Sequence, residues 1–304
     1  MTSASTSGFA NWLRPTAVSV IRALPRVRGR GRLAKVVNDG LLKAGANPAT
    51  IAKMSEGHSL AVDCRLFGQS MMLFSGTCGL EDFIDVLLAF LKPGGVALDI
   101  GANVGTVTVP LALAAKRIGS RVIAFEPYPR NVEWNRKNLI LNHVEDQVTI
   151  LECGLSSEPG EATLLLREDF ETGAGIGNAS VAEPGIDERF QTVTIRLNTL
   201  DELWPTFGSP RLDAIKIDIE GHEDRFLEGA RNTLATNRPV FLMEVNRGYY
   251  DRRGISFDEV IPELLPPDYR YFNSDRTEIR HLAECMESDV LLVPAEKIEL
   301  LRAS

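Results

Sequence analysis

The chain has 304 residues, 44% of them hydrophobic and 24% charged, with a net charge of −8. That length can bury one large core with a small addition, and so acidic a chain sets up no broad field for phosphate backbones, so nucleic-acid binding is not expected. No run reaches the roughly 18 apolar residues of a membrane span. The first residues lack the charged-then-apolar pattern of a secretory signal. The four cysteines, Cys64, Cys78, Cys153 and Cys285, show no C-x-x-C or zinc spacing; a reducing cytoplasmic setting is expected.

Residues 1–57 read as a basic helical N-terminal extension, and residues 58–304 as the main domain. Within residues 1–45, eight Arg and Lys residues stand against Asp39 alone, a net of +7 that leaves −15 for the rest. Two readings stay open: a solvated arm or helix docked on its own acidic body, and a contact for an anionic surface, substrate or carrier partner. Residues 10–57 read as helical segments broken at Pro15, Pro25, Gly29–Gly31 and Pro48. The stretch Trp12–Leu24 has the Arg-flanked, amphipathic make-up of a surface helix. Residues 59–75 alternate about Phe67-Gly68-Gln69, which predicts a hairpin. Leu80–Leu91 predicts a helix, stopped by Lys92-Pro93-Gly94-Gly95.

From Val96 the rhythm changes. Apolar strands are predicted at Val96–Ile100, Arg121–Phe125 and Val148–Glu152, separated by helices over residues 104–118 and 130–141. Strand and helix alternating with short loops mark a parallel sheet covered on both faces. Residues 161–167 and 191–197 alternate and flank the Gly-rich stretch Thr172–Gly185; they predict an inserted β-hairpin with a flexible loop. The main sheet resumes with Asp213–Ile219, a helix over 223–235, Val240–Val245, a helix over 257–265, and the strands Tyr269–Asn273 and Val290–Pro294. The last two lack a full helix between them, which predicts an antiparallel closing pair. The fold class is therefore α/β, with a doubly wound, seven-stranded, Rossmann-like sheet.

Three motifs carry chemistry. Asp99-Ile-Gly101-Ala-Asn103-Val-Gly105 lies where a strand ends and a helix begins, the place where open α/β sheets bind ligands. Gly101 and Gly105 let backbone approach a ligand. A dinucleotide site would show G-x-G-x-x-G; here the spacing is G-x-x-x-G with an acid before it, which suits a cationic cofactor such as S-adenosylmethionine. Phe125-Glu126-Pro127 ends the second strand, where a carboxylate can accept both hydroxyls of a ribose. In Ile215-Lys216-Ile217-Asp218-Ile219-Glu220-Gly221-His222-Glu223, alternation puts Lys216 and Asp218 on one face of a strand. A buried Lys and acid on a central strand cost free energy unless paired or bound. They form either a structural ion pair or a polar wall of a reaction chamber.

In sequence order, D-x-G-A-N-x-G, F-E-P and I-K-I-D-x-E-G-x-E resemble the FkbM family of methyltransferases, over about Leu80 to Pro294. The resemblance implies the class I methyltransferase architecture and S-adenosylmethionine as cofactor. It implies cofactor contacts from Asp99, Gly101, Asn103, Gly105 and Glu126, with Gly154 and Leu155 near the adenine, although the usual acidic adenine contact is not evident there. Asp218, Glu220, Gly221 and Glu223 match the family's motif, whereas His222 stands at a variable position.

Methyl transfer from a sulfonium is an in-line displacement, so the protein mainly aligns the acceptor and removes its proton. The resemblance implies, as the acceptor, a hydroxyl on a small molecule such as a sugar, a polyketide or another secondary metabolite. The candidate catalytic residues are Asp218 as first base, His222 as second, and Lys216 beside them. Glu244 is expected to face the same chamber, and three carboxylates there suit Mg²⁺, the less favoured arrangement. The alternatives are a nucleic-acid methyltransferase, a nicotinamide oxidoreductase, and a non-catalytic cofactor-binding module.

Overall fold

The computed structural model describes residues 3–25, 27–166, 179–181 and 191–303. They form two compact units, one built on Met1–Gly79, the other on Leu80–Leu165 and Ala179–Ser304.

In the first unit, helices α1 (Ser3–Ala23) and α2 (Arg30–Lys43) precede strands β1 (Ala49–Lys53) and β2 (Ser59–Asp63) and helix α3 (Phe67–Ser75). The break expected at Pro15 is absent: α1 runs through it. Proline forfeits one helical hydrogen bond, but Ala10, Arg14 and Ile21 are buried along one stripe on both sides of it, which holds the two halves in line. The hairpin expected over 59–75 is also displaced. It pairs Ala49–Lys53 with Ser59–Asp63 in antiparallel register, and Phe67–Ser75 is helical instead. There Gln69, Ser70, Leu73 and Phe74 are buried at helical spacing, a pattern that includes the Leu73 read as part of an alternation.

The second unit opens with α4 (Glu81–Phe90), then β3 (Val96–Ile100), α5 (Thr108–Ile118), β4 (Arg121–Phe125), α6 (Pro129–Leu141) and β5 (Val148–Leu151). β6 (Gly154–Leu155), β7 (Gly160–Leu166), β8 (Ala179–Val181) and β9 (Gln191–Asn198) make a separate four-stranded sheet, in the order β6-β9-β7-β8. The predicted extended segments on either side of the Gly-rich stretch are thus adjacent strands. Of Thr172–Gly185 itself, only Ala179–Val181 lies within the described residues. The chain continues through α7 (Leu200–Leu203), β10 (Leu212–Ile217), α8 (Glu223–Glu228), α9 (Arg231–Asn237), β11 (Val240–Glu244), α10 (Arg247–Arg252), α11 (Phe257–Leu264), β12 (Tyr269–Phe272), β13 (Glu278–Ile279), β14 (Asp289–Pro294) and α12 (Ile298–Ala303).

The main sheet runs β13-β12-β14-β11-β10-β3-β4-β5. It has eight strands rather than the expected seven, because the two-residue β13 adds to the edge beyond β12. β5, β4, β3, β10 and β11 are mutually parallel, and β14 lies antiparallel between β11 and β12, the closing pair expected from the sequence. Strand order reverses between β3 and β10, so the carboxyl ends of these two strands flank the switch point of a doubly wound sheet. β3 and β10 are buried on both faces, as central parallel strands are. Among the described residues, no helix is long and apolar enough to cross a membrane.

Candidate active site

The turn after β3 is built by backbone. Gly101 and Ala102 both donate their N–H groups to the Phe125 carbonyl, at 3.0 Å each, and the Asp218 N–H reaches the Ile100 carbonyl. These bonds carry the β4-β3-β10 ladder one step past the strand ends and bring the three motifs together. Gly101 has φ +76°, and a Cβ there would fall 1.9 Å from the Asp218 carbonyl oxygen; at Gly105, φ +93°, it would fall 2.8 Å from Asn135 Oδ1. Both positions therefore require glycine. Two non-glycine residues, Asn103 and Glu220, also adopt positive φ, the kind of strained backbone that clusters at functional sites.

Glu126 is buried and holds this turn. Its Oε2 accepts the Asn103 N–H at 2.8 Å, and its Oε1 accepts the Tyr128 N–H at 3.0 Å and the Asn131 amide at 3.3 Å. A carboxylate offers about four acceptor positions, so one is left, on Oε2. The expectation that Glu126 accepts both ribose hydroxyls thus meets a group that is already mostly satisfied by its own chain. Burial pushes its carboxyl up to about 7, against the pull of these donors.

Asp99 lies beneath the turn, fully buried. Its Oδ2 accepts the Thr108 hydroxyl, while Oδ1 has no hydrogen-bond partner. Burial raises its pKa, opposed by the charge of Lys216. Lys216 faces Asp99 across the strand pair with Nζ 4.0 Å from Oδ1. The same Nζ donates to Asp218 Oδ2 at 3.2 Å and to the Gly101 carbonyl at 3.3 Å. Burial alone would lower its pKa, but the charges of Asp218 and Asp99 outweigh burial and hold it above the ordinary lysine range. Lys216 is therefore a fixed cation that ties β10 to the glycine turn, not a proton acceptor.

Asp218 stands at the mouth of the strand ends with its side chain 35% exposed. Glu220 and Glu244 converge on it, so that one oxygen of each of the three carboxylates lies within 4.8 Å of the others. Burial, then the neighbouring charge of Asp218, pushes Glu220 up to about 7 and Glu244 up to about 10. Burial and the neighbouring acids thus favour the protonated form of Glu244, which relieves the repulsion three anions would otherwise feel. Asn246 Nδ2 donates to Glu220 at 3.2 Å. Glu223 serves the fold of the turn: it accepts the N–H groups of Ile219 and Gly221 and the Tyr250 hydroxyl.

His222 points elsewhere. Its Nε2 lies 2.9 Å from Ser156 Oγ, and burial lowers its pKa to about 4, so the ring is neutral and joins the β10 turn to the segment after β6. Gly154 pairs with Leu197 of β9, and the Leu155 side chain belongs to the hydrophobic core; only their backbone is left to meet a ligand.

The sequence reading missed one feature of this site. Asn131, Asn135 and Asn138 form a buried polar stripe on α6. Their amides bond Glu126, the Asn103 carbonyl and Thr108 hydroxyl, and the Val104 carbonyl. Asparagines at i, i+4 and i+7 on an otherwise amphipathic helix were the available signal.

The family model of the methyltransferase FkbM domain matches residues 99–271, more than half of the chain, from Asp99 of the glycine turn through β12. The chain is 30% identical over 172 residues to the hexuronic acid methyltransferase AglP of Haloferax volcanii, covering 56% of this chain and 64% of that one. It is 26% identical over 211 residues to the 31-O-demethyl-FK506 methyltransferase FkbM of Streptomyces tacrolimicus, covering 61% and 74%. With the AMB antimetabolite synthetase AmbE of Pseudomonas aeruginosa the identity is 28% over 202 residues, 55% of this chain and 9% of that protein. The chain thus spans less than two thirds of the length of AmbE and of AglP. The matched region contains the glycine turn, Glu126 and the Lys216–Glu223 segment in one stretch, and on that match the chain belongs to the FkbM methyltransferase family.

Proposed function

We propose that this chain is an S-adenosylmethionine-dependent O-methyltransferase acting on a hydroxyl of a small molecule. The observation that carries the reading is the meeting, at one switch point, of a Cβ-free turn at Gly101 and Gly105, a buried ribose-type acid at Glu126, and an accessible carboxylate at Asp218. The residues present fit the cofactor. The two glycines let the turn close on the Asp218 carbonyl and on Asn135, so that its backbone lines the switch point, and Glu126 keeps one acceptor position; Asp99, fully buried, faces Lys216 and supports the turn from below. The main chain at Gly154 and Leu155 completes the proposed cradle. Bound there, S-adenosylmethionine supplies an electrophilic methyl on a sulfonium leaving group.

On this reading Asp218 Oδ accepts the hydroxyl proton as the acceptor oxygen attacks. Lys216, 3.2 Å away, fixes the orientation of that carboxylate. Glu244 and Glu220 narrow the space around it. His222, neutral and bonded to Ser156, is assigned a positioning role rather than that of base. Support for a small hydroxylated acceptor comes from the relatives: one is a hexuronic acid methyltransferase and another a 31-O-demethyl-FK506 methyltransferase. A reducing, cytoplasmic setting is part of this reading, on the spacing of the four cysteines. The basic extension of residues 1–57 lies outside the matched residues 99–271 and is assigned no part in the chemistry. The test is a screen of hydroxylated sugars and polyketides for release of S-adenosylhomocysteine from S-adenosylmethionine. Release with a hydroxylated acceptor, and with none of its deoxy analogues, is the expected result; methyl transfer to an amine or a nucleobase alone would contradict it.

A further inference from the structure

The first unit carries a surface that the methyltransferase reading does not use. On α1, Phe9, Trp12, Thr16 and Val20 recur at i, i+3, i+7 and i+11, one stripe of the helix. Phe9 is 61% exposed and Trp12 70%, and their rings stack at 5.9 Å. On α2, Leu33 and Val36 are exposed as well, Val36 to 67%. Between the two stripes lies an apolar groove of about 470 Å³, lined by Leu13 and Ala17 of α1 and Val37 and Gly40 of α2 among others. Large aromatic side chains held open to water at adjoining positions mark an interaction surface.

The charge around this surface selects its partner. No Asp or Glu occurs before Asp39, whereas residues 1–45 carry eight Arg and Lys. Arg14 is buried and Arg22 is engaged with the Leu73 carbonyl; Arg28, Arg32 and Lys43 are exposed. Arg32, Val36 and Lys43 share a helical stripe, so cations border the apolar strip on α2, the arrangement in which long basic side chains reach a charged layer while their stems stay on apolar surface.

We propose that this face docks on the surface of an anionic lipid bilayer, with Phe9, Trp12 and Val36 entering the headgroup layer and Arg28, Arg32 and Lys43 meeting lipid phosphates. A second copy of the chain fits less well. Face-to-face pairing would set a +7 segment against another +7 segment. The rest of the chain carries −15, so attraction to an anionic bilayer falls to this segment. Aromatic residues on one side and arginines beside them are what an interfacial helix presents to such a layer.

The test is co-sedimentation of the full chain with vesicles of phosphatidylcholine alone and of phosphatidylcholine with phosphatidylglycerol, at low and high salt. The expected result is binding to the anionic vesicles only, weakened about tenfold or more by roughly 0.5 M salt, by Arg28→Glu with Arg32→Glu, and by Trp12→Glu. Circular dichroism of each variant verifies that it is folded, and Val36→Glu provides a second apolar variant should Trp12→Glu fail. The proposal is overturned if the parent stays in solution with anionic vesicles at low salt. It is equally overturned if folded Trp12→Glu and Val36→Glu bind as the parent does, or if the parent is a dimer without lipid that Trp12→Glu splits.

Discussion

Lys216 Nζ sits 3.2 Å from Asp218 Oδ2 and, through the Gly101 carbonyl 3.3 Å on its other side, joins the candidate base to the cofactor-type turn. A single buried cation thus sets the position of both halves of the site, and it also offsets Asp99, fully buried below. Lys216→Met should therefore cost about 3–5 kcal/mol of stability, because it leaves a buried acid without its countercharge. Adding Asp99→Asn to that variant should return part of the loss, since the two residues interact. Urea unfolding measures both; a midpoint for Lys216→Met equal to that of the parent would show that the cluster does not depend on this charge.

Glu126 is expected to affect both binding and folding. Glu126→Ala should weaken S-adenosylhomocysteine binding by about 1.5–3 kcal/mol, the usual worth of a hydrogen bond to a charged group. It should also lower the melting temperature, because the Asn103 and Tyr128 N–H groups lose their acceptor. With the carboxyl pushed up to about 7, affinity should fall as pH drops from about 8 to about 5.5, approaching tenfold per unit below 7. Glu126→Gln should bind weakly with no such slope. A parent whose affinity is flat across that range would remove the carboxylate from the cofactor site.

His222 gives a stability signature rather than a catalytic one. Burial holds its pKa at about 4, against 6.5 for an exposed ring. As pH falls from 6.5 the unfolded chain takes up this proton before the folded one does. The contribution is whole above about 6.5 and is lost as pH falls towards 4. Over that window His222→Gln should lose less stability than the parent, as read by thermal melts at a series of pH values. Parallel declines in the two proteins would mean that the ring is not buried as the Ser156 contact implies.

For turnover, Asp218 is the residue to remove. Asp218→Asn keeps the shape and leaves the partly exposed position filled, yet no longer accepts a proton. With an acceptor in hand, kcat should drop about 10²–10⁴-fold while S-adenosylhomocysteine affinity changes little. If instead His222→Ala is inactive and Asp218→Asn turns over normally, the roles assigned to these two residues are reversed.

Much of the second unit was legible because its signals are local. Val96–Ile100, Arg121–Phe125 and Leu212–Ile217 are short apolar runs ended by Gly, Pro or acidic turns, and each became a parallel strand at or near its predicted bounds. Gly101 and Gly105 sit where only glycine fits, so their spacing reported a geometry. Glu244 was expected to face the chamber of Asp218, and it does; how closely Glu244 and Glu220 converge there was less accessible. It depends on the register of β10 with β11, which a sequence pattern does not specify. The partners of Glu126 were hidden for the same reason, since Asn131 lies on the next helix and Asn103 on the previous turn. The first unit misled for a different reason. Leu73 satisfies both a period of two and a helical spacing, and the local signal of Pro15 was overridden by burial of Ala10, Arg14 and Ile21 on either side of it.

The site at the ends of β3, β4 and β10 is proposed to hold a sulfonium cofactor. Calorimetric titration of the parent protein with S-adenosylhomocysteine, with NADH as the comparison, tests this most directly. The prediction is one-site binding of S-adenosylhomocysteine with a dissociation constant in the micromolar range, about −8 kcal/mol, and no heat from NADH. A folded protein that binds NADH and gives no heat with S-adenosylhomocysteine would contradict it.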